Sequence, residues 1–186
     1  MDSRPLIILD RDGVLNLDSD AYVKSVDEWI PIPGSAEAVA RLCKAGYQVA
    51  VATNQSGLAR GYFSQADLDA MHTKMTALVN AAGGEFAHIA WCPHGPDDSC
   101  DCRKPLPGLI HQIERVLGVS AAGGWMVGDS IRDLEAGVAA GCKPVLVRTG
   151  KGEASVAKLA RYPQLATAEV YNDLASWVDQ LLESVK

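Results

Sequence analysis

Short apolar runs that end on polar residues, separated by stretches of helical periodicity, constrain this chain more than any other feature. Leu6-Ile7-Ile8-Leu9 runs into Asp10, and 47–52 runs into Thr53-Asn54-Gln55-Ser56-Gly57. The run 86–91 leads into a loop rich in Cys and His, Trp125-Met126-Val127 leads into Gly128-Asp129, and 144–147 closes the series. Between them, apolar residues recur at helical spacing. Ala38, Val39, Leu42 and Cys43 follow Pro33-Gly34, with Ser35 as expected N-cap and Gly46 as stop. Leu68, Met71, Met75 and Leu78 follow the cap Ser64; Ile110, Ile113 and Leu117 follow Pro107 and end at Gly118; a further helix spans 131–140. The tail reads as a short helix at 155–160, a strand at 169–171 and a helix over 174–182. Nearly continuous apolar strands joined by helices predict an α/β, Rossmann-like parallel sheet covered by helices on both faces.

The chain has 186 residues and shows no repeat or linker, so one domain over 1–186 is expected. With 48% apolar and 22% charged residues it has the make-up of a folded protein rather than a disordered one. No apolar run approaches the ~20 residues that span a bilayer. Met1-Asp2-Ser3-Arg4-Pro5, followed by four apolar residues, does not read as a secretory leader, so a cytoplasmic protein without a membrane partner is expected. A net charge of −6 argues against nucleic acid as a partner, which would need a basic stripe to neutralise phosphates. No dimer patch stands out, and a monomer is the default.

In a parallel sheet of this kind the ligand lies at the carboxyl ends of the strands. Asp10 and Asp12, Thr53 and Asn54, Lys104, and Asp129 and Asp133 all follow strands or their loops. Any one Asp after a strand is as readily a helix cap, and a lone Lys a solvated charge. Together they make a different object. Three or four carboxylates at one sheet edge repel each other without a cation, and oxygen ligands suit Mg²⁺. The ion plus Lys104 makes a positive pocket for a phosphoryl group.

Five cysteines cannot all pair, and three crowd one loop with a histidine: Cys92, His94, Cys100 and Cys102, spaced C-x-H-x5-C-x-C. Three thiolates and an imidazole match a closed, four-coordinate structural Zn²⁺ site with no open position for catalysis. The competing reading is a cysteine-rich loop without metal. Cys43 and Cys142 read as core, and His72, His88 and His111 carry no ligand pattern.

Asp10-Arg11-Asp12-Gly13-Val14, Thr53-Asn54, Lys104 and Gly128-Asp129-Ser130-Ile131-Arg132-Asp133 resemble, in order, the four motifs of haloacid dehalogenase superfamily phosphatases. The resemblance implies a Mg²⁺-dependent phosphatase with Asp10 as nucleophile and Asp12 as general acid and then base. It implies Thr53 and Lys104 on the phosphoryl oxygens, and Mg²⁺ on Asp10, the Asp12 carbonyl and Asp129, with Asp133 supporting. For its first step Asp12 must carry a proton, so a pKa raised relative to Asp10 is expected.

The stretches 12–53 and 53–104 are each filled by core elements, which leaves no room for a cap domain. The capless members with a zinc loop include a branch acting on a heptose bisphosphate in lipopolysaccharide-core precursor synthesis and a branch acting on histidinol phosphate. Thr53 to Gly61, Cys100 to Pro105 and Val147 to Lys151 are similar to the sugar branch. That likeness implies a small phosphorylated sugar as substrate, touched by Asp18, Ser19, Asp20, Ala21, Tyr22, Thr53, Asn54, Gln55, Ser56, Arg103, Lys104 and Ser130. The chain departs from the branch at Val14, where many relatives have Thr, and at Ser130, where many have Lys. A DNA 3′-phosphatase would share the motifs but needs a basic groove, and a non-catalytic zinc-binding module would not need all four motifs intact.

Overall fold

The computed structural model describes residues 5–185; the opening stretch 1–4, part of the segment read as lacking a secretory leader, lies outside the described residues. Six parallel strands form one sheet in the order β3-β2-β1-β4-β5-β6. They are β1 (Ile7–Leu9), β2 (Val49–Asn54), β3 (His88–Cys92), β4 (Trp125–Gly128), β5 (Lys143–Val147) and β6 (Glu169–Tyr171). The helices are α1 (Ser35–Lys44), α2 (Gln65–Ala81), α3 (Gly108–Leu117), α4 (Ile131–Ala139), α5 (Gly152–Val156) and α6 (Leu174–Glu183). Each predicted element is present, with strand edges moved by one or two residues. The tail helix forms at Gly152–Val156 rather than 155–160, and a 3₁₀ turn at Leu159–Arg161 takes up the remainder.

Alternation along the strands splits the core in two. Ile7, Leu9, Val49, Val51, Val127, Val145 and Val147 face α1, α2 and α6, whose Leu42, Met71, Met75 and Trp177 are buried against them. Ile8, Ala50, Ala52 and Met126 face the opposite side, against Leu109, Ile110 and Ile113 of α3 and Ala136 of α4. Small Ala50, Ala52 and Ala90 on that side leave room for α3 to lie close.

Local chemistry explains the helix starts, with one correction. Ser64 caps α2 in a reciprocal box with Asp67, and Asp173 caps α6 with Ser176. Ser35, expected as an N-cap, is instead the first helical residue, and Gly34 in the left-handed region (φ 83°) precedes it. The Ser35 hydroxyl donates to the Leu15 carbonyl at 2.9 Å, tying α1 to the loop after β1.

The chain turns outward from β1 in both directions, to β2 and β3 on one side and to β4, β5 and β6 on the other. The carboxyl end of β1 is therefore the switch point at which such sheets open a crevice. No further domain is inserted there. The segment after β1 forms a flap whose base is closed by an antiparallel bridge between Asn16 and Pro31 and by Leu17 N–H donating to Ile30 O at 2.8 Å. Lys74 of α2 holds the flap from below, donating to the carbonyls of Val26 (2.9 Å) and Trp29 (2.7 Å). Among the described residues no helix is long and apolar enough to cross a membrane.

Candidate active site

The chain leaving β1 curls back at once: Val14 and Leu15 N–H donate to the Arg11 carbonyl at 3.2 and 2.8 Å. Gly13 takes φ 85°, and a Cβ there would stand 2.0 Å from Asp129 Oδ2. Gly150 (φ 58°) closes from the other side, where a Cβ would stand 2.2 Å from the same oxygen. Glycine at both positions lets the loops after β1 and β5 close on the carboxylate that follows β4. Thr149 Oγ1, donating to Gly13 O at 2.6 Å, pins them together.

Lys104 lies at the centre, 2% exposed. Its ammonium donates to Asp10 Oδ1 at 2.9 Å and to Ala52 O at 2.7 Å, and pairs with Asp133 Oδ1 at 2.6 Å. Burial pulls its pKa down, but Asp10 and Asp133 outweigh it and hold the ammonium above its ordinary range. Asn54 fixes the loop that carries it: Lys104 N–H donates to Asn54 Oδ1 (3.0 Å), and Asn54 Nδ2 donates back to Lys104 O (3.1 Å).

Asp10, Asp129 and Asp133 bring carboxylate oxygens within 4.8 Å of one another. Burial, then Asp133, push the Asp10 carboxyl up to about 7. Burial, then Asp133 and Asp10, push Asp129 up to about 9. Buried carboxylates that repel in this way are relieved by a hard cation, so the donor set fits Mg²⁺. Asp133 is already engaged, accepting Ser130 N–H (3.1 Å) and Ser130 Oγ (2.8 Å) on one oxygen and Lys104 on the other. Asp129 Oδ2 accepts Lys151 N–H at 2.8 Å. Asp10 and Asp129 thus keep an oxygen each for an ion, and Asp133 holds the frame.

Asp12 reverses an expectation. Its carboxylate turns to Arg11 (Nη2 at 3.0 and 3.2 Å, Nε at 3.1 Å), Asn16 Nδ2 (2.8 Å) and Gln55 Nε2 (2.9 Å). Burial pushes its pKa up, but Arg11, Asn16 and Gln55 outweigh it and hold it below the usual value. Asp10, not Asp12, is the raised member of the pair. In the ion-free site the Arg11 cation holds Asp12 down, while burial and Asp133 raise Asp10 despite Lys104.

These groups line a cleft of about 220 Å³ together with Asp18, Ser19, Asp20, Tyr22, Asn54, Gln55, Ser56, Arg103 and Ser130. Of the expected site residues, Ala21 and Thr53 do not line it. Thr53 is 1% exposed beneath Gln55, whose Nε2 donates to Thr53 Oγ1 at 2.9 Å. Ala21 is on the outer turn of the flap and is exposed. Ser130 borders the cleft, but its hydroxyl is spent on Asp133. Val23, Arg132 and Lys151 also line the cleft and were not anticipated. Lys151 follows β5 and reaches Asp18 Oδ2 at 3.5 Å. The rule that found Asp10 and Asp129, polar residues beyond strand ends, finds Lys151 when applied to β5. The flap's tip is buttressed by Tyr22, edge-on to Tyr62 at 5.1 Å, with the Arg60 guanidinium 5.9 Å from the Tyr22 ring.

Beside the cleft, Cys92, His94, Cys100 and Cys102 aim one donor atom each at a common point. Cys92 Sγ stands 3.4 Å from His94 Nδ1, 3.9 Å from Cys100 Sγ and 3.0 Å from Cys102 Sγ. No pair is near the ~2.05 Å of a disulfide; the spacings are close to the edges of a ligand tetrahedron with ~2.3 Å metal–sulfur bonds. Burial raises the Cys92 and Cys102 thiols, whereas backbone N–H groups of Arg103 and Cys102 outweigh burial at Cys100 and lower it. The donor set fits a structural divalent ion. Arg103 Nη1 donates to His94 O at 3.2 Å, so this loop also aims Arg103 at the cleft.

Known proteins match this chain along nearly its whole length. A HAD-hydrolase-like family model matches residues 101–177. A D-glycero-beta-D-manno-heptose-1,7-bisphosphate 7-phosphatase of Pseudomonas aeruginosa is 57% identical over 181 residues, covering 97% of this chain and 99% of that protein. The chain belongs to this family of phosphatases. The Bordetella bronchiseptica member is 54% identical over 178 residues, covering 96% and 98% of the two chains. A crystal structure of D,D-heptose 1,7-bisphosphate phosphatase from B. bronchiseptica, complexed with magnesium and phosphate, superposes with TM-score 0.91 at 52% identity, covering 97% and 99%. A Burkholderia thailandensis heptose bisphosphate phosphatase superposes with TM-score 0.74 at 39% identity. The parallel sheet with helices on both faces is thus the fold of the heptose bisphosphate phosphatase structures that this chain superposes on.

Proposed function

We propose that this chain hydrolyses D-glycero-β-D-manno-heptose 1,7-bisphosphate at the 7-phosphate, through a phosphorylated Asp10. The observation that carries the reading is the meeting of Asp10, Lys104 and Asp129 in one cleft. Asp10 attacks the phosphorus in line, and the 7-oxygen leaves with a proton from Asp12; water activated by Asp12 then opens the aspartyl-phosphate. Asp12 carries that proton only after its carboxyl leaves the hold of Arg11, which places a rotation of Asp12 before the first step. Lys104 neutralises the phosphoryl oxygens, and the hydroxyl of Thr53 supports Gln55 beneath them. Mg²⁺ held by Asp10, the Asp12 carbonyl and Asp129 would screen the repulsion between carboxylate and phosphate. Arg103 and Lys151 face the rest of the sugar, with Asp18, Ser19, Asp20 and Tyr22 of the flap above it. We read residues 1–186 as one domain, working as a monomer in the cytoplasm.

The deciding experiment compares phosphate release from heptose 1,7-bisphosphate and from histidinol phosphate with Mg²⁺. A preference in kcat/KM of at least about a hundredfold for the bisphosphate, with the 1-phosphate retained, is expected. The reverse preference overturns the substrate and leaves the chemistry.

The carboxylate cluster predicts a pH-linked metal effect. Without the ion, Asp10 and Asp129 keep their protons to about 7 and about 9 in the folded protein, against 3.8 ordinarily. The folded state then binds more protons than the unfolded chain across that window, so ion-free stability falls as pH rises from about 4 to 9. Added Mg²⁺ should raise the Tm more at about pH 8 than at about pH 5.5, and Asp129→Asn should remove most of that difference. Equal shifts at both pH values would count against a metal held by these carboxylates.

Zn²⁺ on Cys92, His94, Cys100 and Cys102 would hold the loop that carries Arg103 and Lys104. Cys102→Ser should lose bound zinc, lower the Tm, and reduce kcat/KM roughly tenfold or more. Full zinc content with unchanged activity in that variant would refute the site.

A further inference from the structure

The Arg11 that pairs with Asp12 also meets a residue outside every motif. Arg11 is fully buried, and its guanidinium has three groups of partners. Nε and Nη2 clamp Asp12, and Nη2 also donates to Gln55 Oε1 at 3.2 Å. Nη1 is met, among the described residues, by His72 Nε2 at 3.3 Å. His72 lies on the buried face of α2 with Leu68, Met71, Met75 and Val79, and its ring stands edge-on to Trp91 at 5.7 Å. A guanidinium has only donors, so His72 must present a lone pair at Nε2 and carry its proton on Nδ1. Burial, then Arg11, keep the ring neutral, pulling its pKa down to about 4.

We propose that His72 is a positioning residue for Asp12, acting through Arg11. Its lone pair fixes the rotation of the guanidinium about the Cδ–Nε bond, and that plane sets where Asp12 rests and from where it swings to the leaving oxygen. A buried donor deprived of this acceptor turns to find another and takes the Asp12 pair with it. The inference rests on the general-acid reading of Asp12 and adds a residue to it.

The test uses leaving groups. An alkyl oxygen, as in heptose 1,7-bisphosphate, needs a proton to depart, whereas p-nitrophenolate hardly does. His72→Phe and His72→Leu remove the acceptor and keep an apolar filling; His72→Gln can return an oxygen near Nε2. Single-turnover rates of phosphoryl transfer to the enzyme are measured for both substrates, with Tm as the check on folding. The expected result is a fall of about tenfold for the bisphosphate in the Phe and Leu variants, with KM within twofold. The p-nitrophenol burst stays within twofold of wild type, and Gln recovers most of the loss. Equal losses on both substrates, or no loss on either, overturn the proposal. Asp12→Asn runs in parallel. If it transfers from the bisphosphate at the wild-type rate, the general-acid reading fails and the proposal with it. If it is impaired while the His72 variants are not, only the role of His72 falls.

Discussion

Asp10→Asn is expected to lower kcat by about 10⁴ or more, while Mg²⁺-dependent binding of inorganic phosphate persists. The substitution keeps volume and leaves Arg11 N–H a carbonyl oxygen to donate to, as it now donates to Asp10 Oδ1 at 2.8 Å. It removes the proposed nucleophile and one of the carboxylates that repel Asp133 and Asp129. The ion-free variant should therefore be at least as stable as wild type near neutral pH, because a buried charge with a raised pKa has gone. Activity and stability then move in opposite directions, which general misfolding cannot produce. Turnover by Asp10→Asn within tenfold of wild type would exclude a phosphorylated Asp10. So would the absence of any acid-stable, hydroxylamine-labile phosphate on the wild-type enzyme quenched in turnover.

Lys104→Met carries the second large effect, and here activity and stability fall together. The ammonium bridges Asp10 and Asp133, both buried, and its removal leaves two carboxylates facing one another. Breaking a buried pair by deleting one partner costs on the order of 3–5 kcal/mol. Part of that is recovered when a carboxyl takes up a proton, so the loss of Tm should be smaller at about pH 5 than at about pH 8. Mg²⁺ should restore some of the stability, since it would supply charge to Asp10, but little of kcat, since it would not replace the ammonium proposed to neutralise the phosphoryl oxygens. A drop in kcat of about 10³ or more is expected. Wild-type kcat with a raised KM would reduce Lys104 to a binding residue. A Tm loss independent of pH would mean that its packing, not its charge, matters.

The two predictions rest on residues of different legibility. Asp10 and Asp129 could be read at once, because each ends an apolar run and a parallel sheet presents strand ends to a common edge. Lys104 could be read as a candidate from its place beyond a strand, but nothing in Arg103-Lys104-Pro105 distinguishes a buried ammonium from a solvated one. The four metal-loop donors were legible from spacing, since eleven consecutive positions hold them all. Asp12 was misread in its proton affinity. Sequence places a carboxyl two residues after Asp10 but cannot tell that Arg11 folds back on it. Thr53 was expected at the phosphate, yet Gln55 covers it, and the side-chain path over a strand end is set by neighbours rather than by order along the chain. The Ser35 cap failed for a similar reason: Gly34, free to take a left-handed conformation, serves as the cap and releases Ser35 to bond across to Leu15. His72 gave a signal that could have been followed, as the one ionisable residue on the buried stripe of α2.

By itself, then, the sequence determined the parallel sheet, the elements, the carboxylate edge and the metal-type loop. Periodicity and strand-end chemistry are local properties, and they propagate into a fold by burial of apolar faces alone. Only the tertiary structure decided which carboxyl keeps a proton, which hydroxyls reach the cleft, and that Lys151 and His72 belong to its surroundings. Those outcomes depend on how side chains fold onto one another, whether from the next residue, as Arg11 does on Asp12, or from distant parts of the chain, as Lys104 does on Asp10 and Asp133. At such separations burial and neighbouring charge together outweigh a residue's intrinsic preference: Arg11 holds Asp12 down, whereas at Asp10 burial and Asp133 prevail over Lys104.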